Sequence, residues 1–258
     1  MLIWWKVLIL VVVSYFCGNV NFARIFAAAR HLDITKQGSG NPGAMNMTRT
    51  LGLKFGILTF LLDMLKTVVP CLLGGWFLQY GEWGWLSWDG KVHLSMAGVY
   101  IAGISAILGH MVPVVYRFKG GKGIAASAGF FFVADWRFAL GALVIFALIF
   151  FIFRYGSIAS LVFVTILTVV QYVRLFAHPS RVFPTDPSAS DNIILLSVLL
   201  GVIYALIIFA HRKNIKRLIT GSERRLNEIK FDTKEEAAAS AEHGVEAGIA
   251  EDDNRNEN

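Results

Sequence analysis

Four short polar stretches interrupt an otherwise apolar chain, and each supplies groups that suit an anion. In GSGNPGAMNMTR, residues 38–49, three glycines and a proline let the backbone turn tightly and approach a ligand. Ser39, Asn41 and Asn46 add neutral hydrogen-bonding groups there, and Arg49 adds a cationic fork. In KGGKG, residues 119–123, the amides of Gly120 and Gly121 are free to converge on one anion between Lys119 and Lys122. In FRYGSIAS, residues 153–160, Arg154 stands in a tight turn with Ser157 three residues on. In HRKNIKRLITGSE, residues 211–223, His211 and Asn214 are three apart and share a helix face. Together these groups suit phosphate or phosphate-ester chemistry.

Each stretch also has a plainer alternative. The first is a glycine-rich turn, and the second is a basic turn at a membrane surface that lacks the spacing of a Walker A loop. The third is a cationic anchor beside a small-residue contact. The fourth is a set of juxtamembrane cations that meets anionic lipid. His110 stands alone near a span end, where histidines are more often structural. Asp63 and Lys66 lie three apart inside an apolar run, where ionisable pairs are expensive. They serve either function or a helix-stabilising ion pair.

The elements that carry these groups follow from composition. The 258 residues are 55% hydrophobic and 16% charged, with mean hydropathy +0.57, well below the ~25% charge of soluble domains. A transmembrane helix needs about 20 mostly apolar residues. Runs at 3–22, 52–78, 93–115, 137–153, 157–176 and 192–210 meet that length, and 121–136 is a shorter candidate. An all-α integral membrane protein with seven transmembrane helices, one of them short, is expected. Cys17 and Cys71 both sit in apolar runs, which excludes a disulfide scaffold.

Charge sets the expected orientation. Residues 222–258 carry a net −6 and read as an acidic, largely disordered tail, which leaves +12 on the membrane body, residues 1–221. With seven spans and the N-terminus outside, thirteen basic loop residues fall inside and four outside, which is the positive-inside bias. The C-terminus is then cytoplasmic. All four polar stretches meet on the cytoplasmic face, where Asp33 is the one acid ahead of the tail. Trp83, Trp85 and Trp88 suit an interfacial belt on the outer side. The basic charge lies in membrane loops, so nucleic acid is not the expected partner.

The segments GSGNPGAMNMTRTLG, GHMVPVVYRFKGGKGIA and HRKNIKRLITGSE, with LLDMLK and FRYGSIASL, resemble the bacterial acyl-phosphate:glycerol-3-phosphate acyltransferase family, PlsY. The likeness spans residues 1–223. Met45 stands where many members carry Thr. The resemblance implies a multi-pass enzyme of the bacterial plasma (inner) membrane, with its site on the cytoplasmic side. It would transfer a fatty acyl group from acyl phosphate to the 1-hydroxyl of sn-glycerol 3-phosphate, as the first acylation of phospholipid synthesis. It implies no metal or other cofactor, and as partners acyl phosphate, sn-glycerol 3-phosphate and membrane lipid.

The resemblance places Ser39, Arg49, Lys122, Ser157, His211 and Asn214 at the phosphate pocket, with Ser157, His211 and Asn214 closest to the chemistry. Lys119, Arg154 and the amides of Gly120 and Gly121 would hold the second phosphate or the oxyanion, and Asn41 and Asn46 of the first stretch are further phosphate-binding candidates. The general base is either His211 or an oxygen of the acyl phosphate itself. None of the six histidines has Asp five residues on, so the His/Asp pair of common glycerolipid acyltransferases is absent. The alternative is a transporter of a phosphorylated or anionic solute, which predicts polar groups that continue through the bilayer.

Overall fold

The computed structural model describes residues 3–78, 96–177 and 189–223. The tryptophan-rich loop and all of the tail beyond Glu223 lie outside these residues. The helices are α1 (Ile3–Asn19), α2 (Phe22–Ala28), α3 (Ala44–Leu51), α4 (Leu53–Phe77), α5 (Met96–Met111), α6 (Ile124–Ala134), α7 (Trp136–Phe153), α8 (Gly156–Ala177), α9 (Ala189–Ala210) and α10 (Arg212–Ile219). A 3₁₀ turn at Val114–Tyr116 follows α5. The described residues hold no strand.

Six stretches among the described residues are long and apolar enough to cross a bilayer: Trp4–Ala28, Leu53–Phe77, Met96–Tyr116, Trp136–Phe153, Gly156–Ala177 and Ile193–Ala210. The seventh expected span differs. Residues 124–134 form an eleven-residue helix, roughly 16 Å long at about 1.5 Å per residue. That is about half of a ~30 Å hydrocarbon layer.

A helix this short needs protein partners for its last carbonyls. Arg174 on α8 supplies one: its Nη1 donates to the Ala134 carbonyl at 3.1 Å. Asp135 caps α7 through the Arg137 amide at 3.1 Å and pairs with Arg174 at 3.3 Å. Tyr100 on α5 donates to Gln171, the neighbour of Arg174 one helical turn back, at 2.9 Å. The far end of α6 is therefore tied to α5, α7 and α8 by polar bonds.

The core sits around α5, whose Val99, Tyr100, Ala102 and Ala106 are fully buried. Close approach needs small residues, because lipid gives no hydrophobic drive between helices. Gly98 of α5 lies so near the Gly74 backbone of α4 that a Cβ there would overlap it. Large apolar side chains point outward instead, among them Leu61, Leu65, Leu148, Ile152, Val169 and Val173. That inversion suits lipid as the solvent.

Candidate active site

A cavity of about 380 Å³ opens among α3, α4, α6, α7, α8 and the start of α10. Its polar end is lined by Ser39, Asn41, Asn46, Arg49, Lys122, Ser157, His211 and Asn214. Its apolar flank is formed by Leu53, Ile57 and Phe60 of α4 and by Leu143, Phe146 and Phe150 of α7. Sequence stretches up to 175 residues apart thus converge on one space, and eight of the twelve expected site residues line it.

The first loop is shaped by its own asparagine. Asn46 accepts from the Ser39 amide at 2.8 Å and donates to the carbonyls of Ile34, at 3.2 Å, and Gln37, at 3.0 Å. Its polar atoms are committed to the loop, so it holds Ser39 in place and is not the ligand donor expected. Gly38 and Gly40 have positive φ, +54° and +71°, which the tight turn requires. Asn21 braces the same loop through the Pro42 carbonyl at 3.1 Å.

The cationic centre is Lys122. Its Nζ donates to Asn214 Oδ1. An ammonium only donates, so the amide must present its oxygen to Lys122 and its nitrogen elsewhere. Asn214 Nδ2 accordingly donates to Ser157 Oγ at 2.7 Å and to Glu223 Oε1 at 2.9 Å. Ser157 also donates to Glu223 Oε1, and Arg217 Nε donates to Glu223 Oε2 at 2.6 Å. Burial, with the nearby cations Arg217 and Arg49, brings the Lys122 ammonium down to about 8, against an opposing pull from Glu223.

Glu223, which charge counting assigns to the acidic tail, stands directly behind the cavity residues Ser157 and Asn214. It is 6% exposed and belongs to the membrane body. Burial opposes its charge, but hydrogen bonds from Arg217, Ser157 and Asn214 outweigh that and hold its carboxyl below the usual range. The available signal was its position in HRKNIKRLITGSE, six residues after Arg217 and directly past the helix end.

His211 caps the junction of α9 and α10 and is 2% exposed. Its Nδ1 lies 2.8 Å from the Ile207 carbonyl, which can only accept. Nδ1 therefore carries the proton, and Nε2 is left as an acceptor. Burial lowers the imidazole to about 4, with Lys122 adding to the effect and the Ile207 bond opposing it. The ring is neutral at pH 7.

Four expected residues do not line the cavity. The Gly121 amide donates to the His110 carbonyl at 3.0 Å and is not available to a ligand. Gly120 packs so tightly on that carbonyl and on Pro113 that a Cβ would overlap both. The Gly121 amide thus does not serve the expected anion cradle, and both glycines allow close packing on His110. Lys119 has an exposed side chain, and its carbonyl accepts from Arg24 at 3.0 Å. Arg154 is exposed at the end of α7 with φ +61°, where its amide closes the helix on Phe150. Asp63, held above as either functional or part of an ion pair, and His110, read above as structural, also line the cavity.

The cavity therefore offers a cationic end, with an ammonium, the Arg49 guanidinium, hydroxyls and amides, beside an apolar flank. Among the described residues no cluster of histidine, cysteine or carboxylate could hold a metal. The chemistry available is positioning and charge stabilisation of an anionic ligand that carries an apolar chain.

Residues 8–221 match the family described as glycerol-3-phosphate acyltransferase. The chain is 35% identical over 220 residues to the glycerol-3-phosphate acyltransferase of Aquifex aeolicus (strain VF5), covering 85% of this chain and 99% of that one. It is 36% identical over 239 residues to the protein of the same name from Paraburkholderia phymatum, covering 92% and 99%. It is also similar to a crystal structure of PlsY, an integral membrane glycerol 3-phosphate acyltransferase, in its glycerol 3-phosphate form. There the TM-score is 0.66 at 34% identity, over 85% of this chain and 95% of the other. The lysophosphatidic acid form aligns with TM-score 0.62 at 35% identity, over 85% and 94%.

Proposed function

The chain belongs to the glycerol-3-phosphate acyltransferase family, and on that premise we propose that the cavity described above is where its acyl transfer takes place. It is a multi-pass integral membrane enzyme that acylates glycerol 3-phosphate, a step of phospholipid biosynthesis. The donor in this proposal is acyl phosphate, and the products are 1-acylglycerol 3-phosphate and inorganic phosphate. The observation that carries it is the joining of a cationic end to an apolar flank in one cavity. Two phosphates meet at the first, and a fatty chain lies along the second between α4 and α7.

The reaction balances without a further reactant. The hydroxyl oxygen attacks the acyl carbon, the bond from that carbon to the phosphate oxygen breaks, and the hydroxyl proton ends on the released phosphate. The leaving group is already good, so the protein's task is orientation and charge stabilisation. Lys122, between Arg49 and Asn214, sits where it can serve both phosphates. Ser39, Asn41 and Arg49 hold one phosphate and Lys122 holds the other, while Asn214 and Ser157, whose donors are engaged with each other and with Glu223, fix the ammonium in place. An imidazole held near 4 is a weak base at pH 7. His211 Nε2 therefore orients the attacking hydroxyl, and an oxygen of the departing phosphate takes the proton.

With the short α6 taken as the seventh crossing, the site faces the cytoplasm of the inner membrane and the N-terminus lies outside, a placement supported by the cation bias of the loops. The test is purified protein with palmitoyl phosphate and glycerol 3-phosphate, with Lys122→Ala in parallel. Lysophosphatidate from the intact protein and a loss of at least about a hundredfold in the variant are expected. An intact protein that forms no product overturns the proposal.

A further inference from the structure

The scheme above leaves three buried groups unused: Asp63 and Lys66 on α4, and His110 at the end of α5. Lys66 Nζ lies 2.8 Å from Asp63 Oδ1 and 2.9 Å from His110 Nδ1, and it also donates to the Val20 carbonyl. That carbonyl stands at the break between α1 and α2. An ammonium has three protons and no lone pair, so it can only donate to these partners. His110 Nδ1 must then accept, so the ring proton sits on Nε2. The tautomer is fixed from behind by a group that never meets the cavity.

His110 itself does meet it. The residue is 4% exposed and lines the same cavity as Lys122 and Asp63. Its carbonyl takes the Gly121 amide, and its Nε2 corner packs on Gly121 where a Cβ would overlap it. The imidazole therefore packs directly on the glycine turn, and Lys122 is the next residue in the chain. This also accounts for the glycines of that turn, which admit the ring beside the ammonium.

We propose that His110 is a further substrate-facing residue of this enzyme, a neutral imidazole whose Nε2–H donates to an anionic oxygen in the cavity. The oxygen belongs either to a bound phosphate or to the tetrahedral intermediate. Lys66 is its positioning residue, and Asp63 balances the buried charge. The two histidines are thereby complementary. His211 presents an acceptor at Nε2, because a carbonyl holds its Nδ1 proton. His110 presents a donor at Nε2, because an ammonium claims its Nδ1 lone pair. One suits a hydroxyl, the other an oxyanion.

The proposal rests on the acyltransfer reading, and its test separates the two. In ¹⁵N-histidine-labelled protein in nanodiscs, one ring resonance, identified by its loss in His110→Phe, is expected to show the Nε2-protonated tautomer. An Nδ1-protonated ring overturns the proposal whether or not the enzyme turns over. In the palmitoyl phosphate assay, His110→Phe keeps the ring but not the donor and is expected to lose about a hundredfold. His110→Gln, which restores an N–H, is expected to recover at least tenfold of that. A loss in kcat assigns the donor to the intermediate, and a loss confined to the KM of glycerol 3-phosphate assigns it to that phosphate. A His110→Phe enzyme within about threefold of the parent overturns the proposal. Inactive parent protein overturns the acyltransfer reading alone, since the tautomer is still measured.

Discussion

The carboxylate of Glu223 accepts the hydroxyl proton of Ser157, although 66 residues separate them. The same carboxylate takes bonds from Asn214 and Arg217. One acid thus sets the direction of a hydroxyl, an amide and a guanidinium at the cationic end of the cavity. A shared acceptor of this kind aligns donors that would otherwise repel or rotate.

Replacing Glu223 with Gln is expected to weaken this alignment. Hydrogen bonds to charged groups are worth about 2 kcal/mol, so a stability loss of roughly that size is expected in a thermal or denaturant melt. Because Glu223 also helps keep Lys122 protonated, the alkaline limb of the rate profile should move to lower pH. A variant with unchanged melting and an unchanged alkaline limb would show that Glu223 has neither role.

Lys122 should set that alkaline limb in the parent enzyme. Its ammonium lies near 8, so it is charged below that value and neutral above it. Phosphate binding needs the charge, and kcat/KM for glycerol 3-phosphate should fall as pH rises from about 7 to about 9. Lys122→Arg keeps its charge over that range, because guanidinium stays protonated beyond pH 12. It should flatten the fall while lowering the plateau. A fall that persists in Lys122→Arg would assign it to another group.

His211 should behave as an orienting acceptor. Its imidazole is neutral down to about 4, so no step from it is expected in the rate profile between about pH 5.5 and 8. His211→Ala should cost about tenfold to a hundredfold in kcat and leave the shape of the profile in place. A lost acid limb in the variant would instead make His211 the base. Its stability effect has a definite sign. The folded value lies below the ordinary 6.5, so the stabilising contribution is full above about 6.5 and is lost as pH falls toward 4.

Asn46 should act through Ser39. Asn46→Ala removes three hydrogen bonds from the 34–46 loop, among them the one that holds the Ser39 amide. A rise of at least about tenfold in the KM for one of the phosphates is expected, with a smaller change in kcat, as fits the loss of a binding group. Steady-state titration of each substrate checks this. Equal loss in kcat with an unchanged KM would place Asn46 in the transition state instead.

Much of this protein was legible in its residues alone. Membrane spans follow from hydropathy, which sums residue by residue along a helix and needs no knowledge of neighbours. The polar stretches around Ser39, Lys122, Ser157 and His211 could be read for the same reason, as local departures in an apolar chain. Even the ends of α4, α7 and α8 fall within a residue of the apolar runs. Other features depend on contacts between distant elements, and no local pattern holds them. Residues 124–134 could stop short of a full span because Arg174, 40 residues on, caps the Ala134 carbonyl. Gly120 and Gly121 pack against His110, since α5 delivers a carbonyl and a ring to the turn. Glu223 counts as tail charge until α10 folds it back onto Ser157. The sequence determined which residues tolerate lipid and which cannot. Packing alone decided which of the polar ones meet, because burial and hydrogen bonding are properties of pairs.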